Sequence, residues 1–428
     1  MKQYETFIFD SYAWKPHAGA IELHYSLDDE VHFTETLTLP SPPFLKPEKE
    51  DEFDRALFAL HLIGGISYFK TCLPKTIKIR SGTLSPEQAK FWTEVYENGL
   101  GEFFYKNDIN FTGLIQFPSS ESAAAPSVVP QKDWEKRHRT LVPIGGGKDS
   151  VVTMERLRAK ADLTLFRIGH HPLIDELARV AGLPLLTIKR ALAPELFELN
   201  ASGALNGHIP ITAYLSCVTI AIAILYDFDA VAMSNEKSAN IGNVMFKGKE
   251  INHQWSKSEE FEQAFHTYVK TFITSRVEYR SELRSMNELQ IAEQFVKYPQ
   301  YFPCTTSCNT NWRILSKNSP SPSPSDARRG GGGQGVGVWC CTCPKCAFVF
   351  ALYTAFLPKQ AVLDIFCKNL FDDASLTPLY KELLGLEGFK PFECVGTPEE
   401  TKEAFTLAHK KGEWTDTAIM KMFLKAFP

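Results

Sequence analysis

The sequence predicts an α/β fold in which helices flank a parallel sheet, with an N-terminal α+β module before it and a helical region carrying four cysteines after it. Three observations predict this fold. Short apolar runs alternate with longer helical segments from residue 139 to residue 300. Residues 1–117 instead show the every-second-residue alternation of half-buried strands, broken by helical segments. After residue 300, a group of cysteines precedes helical segments that are separated by prolines.

Length and composition indicate an ordinary globular protein with more than one domain. The chain has 428 residues, of which 44% are hydrophobic and 22% charged. At ~150 residues per domain, this length predicts two or three domains. We divide the chain into an N-terminal module (1–117), a linker (118–138), an α/β domain (139–300) and a C-terminal region (301–428).

Charge and cysteine content exclude several classes of partner. The net charge of −4 argues against a broad basic surface, so we expect no nucleic-acid partner. The first residues lack the basic stretch and apolar core of a signal peptide. The longest apolar run, residues 211–226, is shorter than the ~18 residues that a membrane span needs. Ten cysteines without a secretory signal favour reduced thiols and a metal site, so we expect a cytoplasmic protein with no membrane partner.

The N-terminal module is predicted from its hydrophobic pattern. Apolar side chains alternate in three stretches, which predicts strands, and recur at helical spacing in two others. The predicted strands lie near residues 7–12, 21–25 and 31–37, and the predicted helices over 53–63 and 86–98. Residues 118–130 are rich in Ser, Ala and Pro, which is typical of a linker.

The α/β domain is predicted from alternating strands and helices. Its predicted strands cover residues 141–144, 163–168, 185–188 and 230–233, and its predicted helices cover 151–160, 173–181 and 211–225. In such a sheet, ligands bind at the carboxyl ends of the parallel strands. A glycine-rich loop follows the first of these strands, and Ser234, Asn235 and Glu236 follow the last.

The glycine-rich loop carries the strongest chemical signal. It consists of Gly145, Gly146 and Gly147, followed by Lys148, Asp149 and Ser150 at the start of a predicted helix. Glycines let backbone N–H groups approach phosphate oxygens, and a helix N-terminus adds unpaired donors. A glycine turn without a ligand is the alternative interpretation. The loop lacks the Walker A spacing and resembles the PP-loop motif S-G-G-x-D-S of ATP pyrophosphatases, with Gly145 in place of the first Ser.

The PP-loop resemblance implies an adenine nucleotide alpha hydrolase-like sheet that binds ATP and cleaves it between the α- and β-phosphates. It implies that the loop holds pyrophosphate and that Lys148 neutralises developing charge. A carboxylate at a strand end is placed to bind Mg²⁺, and Asp149 or Glu236 is our candidate. For Ser234, Asn235 and Glu236, a solvated turn or a helix cap is the competing interpretation.

A cysteine cluster predicts a metal site in the C-terminal region. Cys340, Cys343 and Cys346 have the spacing of thiolates around one tetrahedral ion, and Cys308 supplies a fourth. Four thiolates leave no open position, so we expect a structural zinc ion. An iron–sulfur cluster, or no metal, is the alternative. Cys341 is expected to point away from the metal.

The cysteine pattern resembles the zinc site of 7-cyano-7-deazaguanine synthase, which is also a PP-loop enzyme. Between Cys308 and Cys340 lies a Ser-, Pro- and Gly-rich segment, residues 316–338. We predict a disordered insertion there, because this composition buries too little apolar surface to offset its ordering entropy.

Polar segments elsewhere supply candidates for acid–base chemistry. His208 lies just before the predicted buried helix, where helix capping is the alternative, and His253 lies in a polar loop. We nominate both because imidazole titrates near neutral pH. Lys257 or Arg276 is a candidate to hold a substrate carboxylate. Cys394 lies in another polar segment and is equally consistent with a small buried apolar group.

These segments together resemble the MurL family of ATP-dependent UDP-N-acetylmuramoyl-L-alanyl-L-glutamate epimerases. The resemblance rests on residues 65–70, 145–150, 206–210, 234–243, 252–258, 339–346 and 391–396. It implies that the chain epimerises the terminal L-Glu of UDP-MurNAc-L-Ala-L-Glu to D-Glu, with ATP converted to AMP and pyrophosphate. It implies a role in peptidoglycan precursor biosynthesis. By elimination alone, we assign binding of the substrate's uridine diphosphate to the N-terminal module.

Three alternatives stay open at the level of the sequence. One is a ligase similar to 7-cyano-7-deazaguanine synthase, which would need no large N-terminal module. Another is a tRNA thiolase, which would need a catalytic cysteine pair and a basic face. The third is a catalytically inactive nucleotide-binding scaffold, which Gly145 alone would favour.

Overall fold

The computed structural model describes residues 2–121, 137–312 and 338–428. Most of the predicted linker (118–138) and of the predicted insertion (316–338) lies outside these residues. Within them, no helix combines the length and the apolar character that crossing a membrane requires.

A nine-stranded mixed sheet organises the described part of the chain, in the order β11-β8-β5-β6-β7-β3-β2-β1-β4. Its strands are β1 (Thr6–Lys15), β2 (Ala20–Leu27), β3 (Val31–Thr38), β4 (Thr76–Ile79), β5 (Arg139–Pro143), β6 (Asp162–Ile168), β7 (Leu185–Ala191), β8 (Ala230–Met233) and β11 (Glu278–Ser281), and a separate hairpin consists of β9 (Val244–Phe246) and β10 (Lys249–Ile251). The five strands from β11 to β7 pair in parallel. The predicted parallel sheet of a mixed α/β fold is therefore confirmed.

The N-terminal strands extend the same sheet. Strand β3 pairs antiparallel with β7, and β2 and β1 continue the antiparallel order. Strand β4 closes the edge in parallel with β1. The sheet thus runs unbroken from the N-terminal module into the α/β strands. The division into domains at residues 117, 138 and 300 stays a prediction.

Helices cover the sheet and form the C-terminal region. They are α1 (Glu50–Gly64), α2 (Ile66–Phe69), α3 (Pro86–Gly99), α4 (Gly101–Lys106), α5 (Lys148–Leu157), α6 (Pro172–Ala181), α7 (Pro194–Ala201), α8 (Ile211–Tyr226), α9 (Glu259–Tyr268), α10 (Glu288–Phe295), α11 (Pro344–Phe356), α12 (Lys359–Phe366), α13 (Thr377–Leu383), α14 (Pro398–Lys411) and α15 (Ala418–Ala426). Capping boxes fix the starts of three of them, at Ser85, Asn287 and Thr397. Pro378 and Pro398 lie in the first turns of α13 and α14, where proline is tolerated, and so start these helices rather than break them.

The two faces of the parallel strands pack into different cores. On β5, Leu141 belongs to the core that contains α1 and α8, whereas Val142 belongs to the core that contains α5 and α11. Successive side chains of a strand point to opposite faces, so this division follows from the period of two. Helix α8 is buried almost all round, which explains its apolar sequence. Covered faces leave the carboxyl ends of the strands as the place for a site.

Candidate functional site

The glycine-rich loop joins β5 to α5 at the carboxyl edge of the parallel strands. Gly146 has φ of 76°, a left-handed conformation that glycine adopts without strain. A Cβ at Gly147 would lie 2.9 Å from the Ser307 hydroxyl oxygen, so a side chain there would require Ser307 to shift. A Cβ at Gly145 would meet nothing within 4 Å. The Ser150 hydroxyl donates to the Gly147 carbonyl oxygen at 3.0 Å and steadies the turn.

Lys148 lies fully buried behind this loop, between two carboxylates. Its ammonium donates to Asp149 and to Glu288, the first residue of α10. Burial alone lowers the pKa of Lys148, but the two carboxylates outweigh it and hold the pKa above its ordinary value. Glu288 also accepts from Lys345 at 3.2 Å, and these two lysines lower the pKa of Glu288 despite its burial. Lys148 is therefore charged and held in place.

The segment after β8 faces the same edge. Glu236 is buried, and burial raises its pKa; the Glu288 carboxylate raises it further and Lys257 opposes the rise. Within the part of the chain that the structure describes, the buried Ser234 hydroxyl and Asn235 amide nitrogen have no hydrogen-bond partner. Buried polar atoms are normally paired, so unpaired ones at a strand end indicate a place for a polar ligand.

Four cysteines form the predicted cluster. The sulfur atoms of Cys308, Cys340, Cys343 and Cys346 all lie within 4.8 Å of one another. The Cys346 sulfur is 3.5 Å from that of Cys343 and 3.7 Å from that of Cys340. Cys341 points away, as predicted, and donates to the Phe366 carbonyl oxygen at 3.4 Å. The cluster can therefore hold one metal ion such as zinc.

The cysteine cluster and the glycine-rich loop are physically connected. The Thr306 backbone N–H donates to the Gly146 carbonyl oxygen at 2.8 Å, and Ser307 contacts Gly147. Cys308 follows directly and belongs to the cluster. A metal ion at the cluster would therefore fix the segment that supports the loop.

The two predicted histidines meet at a carboxylate from the N-terminal module. Their ring centres lie 4.5 Å apart. His253 bonds through Nδ1 to Glu102, and His208 places its Nδ1 3.4 Å from the same carboxylate. His208 does not cap α8, because Pro210 occupies the cap position without a side-chain hydrogen bond.

The two imidazoles carry different charges. Burial lowers the pKa of His208 to about 3, and the charge of His253 lowers it as well. Burial also lowers the pKa of His253, but Cys394 and Glu102 outweigh that effect and raise it to about 9. At neutral pH the pair therefore consists of a neutral His208 and a cationic His253.

Of the two cations nominated to hold a substrate carboxylate, only Lys257 lies at this site. Its ammonium is 3.3 Å from the Cys394 sulfur. Arg276 is buried against α1 and donates to Glu52 at 3.2 Å, so its charge is already engaged. Lys70, within the predicted segment 65–70, donates to Asn206 at 3.0 Å and thereby connects two of the predicted segments.

Several residues of the site escape prediction from sequence. Glu102 and Glu288 lie far from their partners along the chain, and no local pattern marks them. Lys345 carries a usable signal, because it lies inside the Cys343–Cys346 motif, where a buried lysine needs a counter-charge. Cys394 also carries one, since it lies in a polar loop.

Together, the fold and this site define a mixed α/β protein that gathers its reactive side chains at the carboxyl ends of parallel strands, as α/β enzymes do. The chain belongs to the MurL family. Residues 1–282 match the model of the MurL N-terminal domain, and residues 304–428 match that of the MurL C-terminal domain. The resemblance inferred from the sequence is thus confirmed.

Three curated relatives are similar over nearly the whole length of this chain. Each is named UDP-N-acetyl-alpha-D-muramoyl-L-alanyl-L-glutamate epimerase. The protein from Xanthomonas oryzae pv. oryzae is 41% identical over 427 residues, which are 99% of this chain and 90% of the relative. Those from Salinispora tropica and a Micromonospora species are each 35% identical over 100% of this chain and over 90% and 92% of their own lengths. No solved structure matches the chain.

Proposed function

We propose that this protein epimerises the terminal L-Glu of UDP-MurNAc-L-Ala-L-Glu to D-Glu, with ATP converted to AMP and pyrophosphate. The observation that carries this proposal is full-length similarity to three relatives that all bear this epimerase name. The side chains at the site support it, since a candidate phosphate loop and an acid–base cluster occupy one edge of the sheet. The reaction would take place in the cytoplasm, during synthesis of a peptidoglycan precursor.

The chemistry needs activation because the α-proton beside a carboxylate is very weakly acidic. Its loss would place a second negative charge next to the first. In the proposed reaction, a carboxylate oxygen of the glutamate attacks the α-phosphorus of ATP, and pyrophosphate leaves. The acyl adenylate has no carboxylate charge, so a base can remove the α-proton. Return of a proton to the opposite face gives the D centre, and hydrolysis releases AMP.

The glycine-rich loop is the proposed binding site for the phosphates. Its backbone can approach an anion at Gly145, where the space around the Cβ position is open, and α5 begins directly after it. Lys148 and Ser150 complete the proposed contacts. Lys148 is held charged, as neutralising a developing negative charge requires.

Magnesium is the ion that we propose for the carboxylates near the glycine-rich loop. Glu236 lies close enough to Glu288 and Asp149 for their charges to act on it, and Ser234 and Asn235 offer unpaired polar atoms beside it. We propose that Asp149 and Glu236 would hold Mg²⁺. When bound, this ion supplies positive charge that offsets the charge of the phosphates.

His208 and His253 are the proposed acid–base pair. Their support is the shared contact with Glu102, which orients both rings toward one point. Glu102 comes from α4 of the N-terminal module. We therefore propose that this module takes part in substrate binding, with the uridine diphosphate on its side of the site.

Zinc is the metal proposed for the four-cysteine cluster. A tetrahedron with Zn–S bonds of about 2.3 Å has edges of about 3.8 Å. The measured sulfur–sulfur distances of 3.5 and 3.7 Å are close to this edge. A multi-iron cluster places several iron and sulfide ions between its thiolates and needs a wider opening. We propose a structural role, since all four positions are taken by thiolates.

The test of the proposed function combines two readouts in heavy water. The protein is incubated with ATP, Mg²⁺ and UDP-MurNAc-L-Ala-L-Glu, and AMP and deuterium at the glutamyl α-carbon are measured. We expect both to accumulate. AMP without deuterium, in a reaction that consumes an amine, would indicate a ligase instead. Absence of both would indicate a nucleotide-binding scaffold.

Lys148→Ala and Asp149→Ala test the phosphate site. We expect each to abolish AMP release, because each removes a charge at the loop. The matched control is Lys160→Ala, which removes an exposed lysine just beyond α5 and should leave AMP release unchanged. Circular dichroism checks that all three variants fold. Wild-type rates of AMP release in both loop variants would contradict the assignment.

A further inference from the structure

Cys394 lies where the acid–base cluster meets the phosphate site. The Lys257 ammonium donates to its sulfur at 3.3 Å, and the His253 imidazole lies near enough to act on the pKa of the thiol. The Lys345 ammonium donates to the Cys394 backbone carbonyl oxygen. A partly exposed thiol between two cations is the environment that turns a thiol into a thiolate.

A chain of contacts connects this thiol to the glycine-rich loop. Lys345 bridges from Cys394 to Glu288, and Glu288 pairs with Lys148 at the start of α5. Lys257 lies near enough to Glu236 and Asp149 for their charges to act on its ammonium. The Lys257 side chain therefore lies between the Cys394 sulfur and the residues proposed to meet the phosphates.

The proposed reaction requires a base close to the phosphates. In an acyl adenylate, one carbonyl carbon separates the phosphate ester oxygen from the α-carbon. A base for the α-proton must therefore lie a few ångströms from the α-phosphate that the loop is proposed to bind. The contacts through Lys345 and Glu288 connect the Cys394 backbone to Lys148, so Cys394 belongs to the same group of charged side chains as the start of α5.

A second observation next to Cys394 also points to a ligand. Gln254 is buried and donates through its amide nitrogen to the Val395 carbonyl oxygen at 3.3 Å. Among the described residues, the buried amide oxygen of Gln254 has no hydrogen-bond partner. An unpaired acceptor beside the thiol can take a hydrogen bond from a polar substrate such as a peptide N–H.

We propose that Cys394 is the base of the acid–base cluster and removes the α-proton of the terminal glutamate. Lys257 and His253 position its sulfur, and the histidine pair transfers protons between the site and water. This inference rests on the proposed function. The Cα–H bond breaks, an S–H bond forms, and the electron pair moves onto the acyl carbonyl oxygen as an enolate. A proton derived from water returns to the opposite face of the carbon, and the Cys394 thiol releases its own proton to water.

The electrostatics of the site agree with this role. Burial by itself raises the pKa of Cys394, but the charge of Lys257 and the hydrogen bond with His253 outweigh it, and Lys345 adds to their effect. The pKa of Cys394 falls to about 5. At neutral pH the group is then a thiolate, which is the form that accepts a proton.

Cys394→Ser tests the proposal through the ratio of two products. In heavy water, we expect the ratio of α-deuterium to AMP to fall by ~10²-fold or more, because a general base contributes about that factor. The adenylate still forms and hydrolyses, but the α-proton stays. The control is Cys367→Ser, which removes an exposed thiol at the end of α12 and should leave the ratio unchanged.

Alkylation of the wild-type protein tests the thiolate without a variant. Iodoacetamide with peptide mapping should modify Cys394 already at pH 6, more slowly below pH 5, and more slowly when substrate is bound. Lys257→Met should move the onset of modification to higher pH. A solely structural cysteine would show neither the early onset nor the shift.

Each outcome decides between the two proposals. A wild-type protein that forms neither AMP nor deuterated product overturns the proposed function. A working wild-type protein whose Cys394→Ser variant keeps the same ratio overturns the role of Cys394 alone. If that variant does not fold, alkylation at Cys394 that leaves the ratio of the wild-type protein unchanged has the same consequence.

Discussion

At the scale of single residues, the two ends of the glycine-rich loop have unequal freedom. A Cβ at Gly147 would meet the Ser307 hydroxyl, whereas the Cβ position of Gly145 is open. The PP-loop motif has serine where this chain has Gly145, so the open space there is consistent with a position that elsewhere carries a side chain. Only Gly147 is required for packing.

This asymmetry gives a matched pair of substitutions. We expect Gly147→Ala to reduce AMP release strongly, because a Cβ would meet the Ser307 hydroxyl at 2.9 Å and push the loop away from its support. Overpacking of this kind costs about 1–3 kcal/mol. Gly145→Ala should release AMP within a few-fold of wild type. Equal losses in the two variants would show that Ser307 does not constrain the loop.

Single residues also show where prediction from sequence succeeds and fails. The sequence singles out His208 and His253 as candidates because imidazole is the side chain suited to proton transfer near neutral pH. Their common partner, Glu102, is not singled out, since a contact across 151 residues leaves no local pattern. The proposed role of Cys394 likewise depends on charges that two other segments bring to it.

At the scale of elements, the strands and helices of the parallel sheet are well predicted. The predicted strand over residues 230–233 has the bounds of β8, and α8 ends within a residue of its prediction. Both are strongly apolar and bounded by polar residues. Strands β4 and β11 are as short as β8 but contain polar side chains where β8 is wholly apolar, so they carry too little pattern to be predicted from sequence.

The segment before Cys308 is the element that connects the metal cluster to the loop. It donates from Thr306 to Gly146 and places Ser307 against Gly147. Because it carries only one thiol of the cluster, its position would depend on a metal ion bound by the other three thiols.

We therefore expect loss of the metal to impair the loop. Cys346→Ser, or treatment with a strong chelator, should remove about one equivalent of zinc, lower the melting temperature and reduce AMP release. Cys341→Ser is the control, since its sulfur points to the Phe366 carbonyl oxygen and lies outside the cluster. Zinc content is measured by elemental analysis beside thermal unfolding. A metal-free protein with full AMP release would contradict this coupling.

At the scale of the whole molecule, the joint between β3 and β7 unites the two halves of the sheet. Sequence alone does not predict it, because antiparallel pairing of distant strands depends on register and not on local composition. One signal is nevertheless present. Glu35 occupies a buried position of β3 that alternation assigns to the core, between Phe33 and Leu37.

Arg190 on β7 compensates this buried carboxylate. Its guanidinium donates two hydrogen bonds to Glu35, at 2.8 and 3.0 Å. The hydroxyls of Tyr214 and Tyr68 donate to the same carboxylate at 2.6 and 3.0 Å. The N-terminal strands, α2, α8 and the parallel strands therefore meet at one charged centre.

Removing Arg190 should consequently destabilise both halves together. Truncation that leaves a buried carboxylate without its ion-pair partner costs about 3–5 kcal/mol. We expect Arg190→Ala to lower the urea midpoint markedly and to increase hydrogen exchange in both β3 and β7. The control is Arg179→Ala, which breaks an exposed pair with Glu176 and should leave the urea midpoint nearly unchanged. Increased exchange confined to β7 would show that the halves of the sheet are stabilised independently.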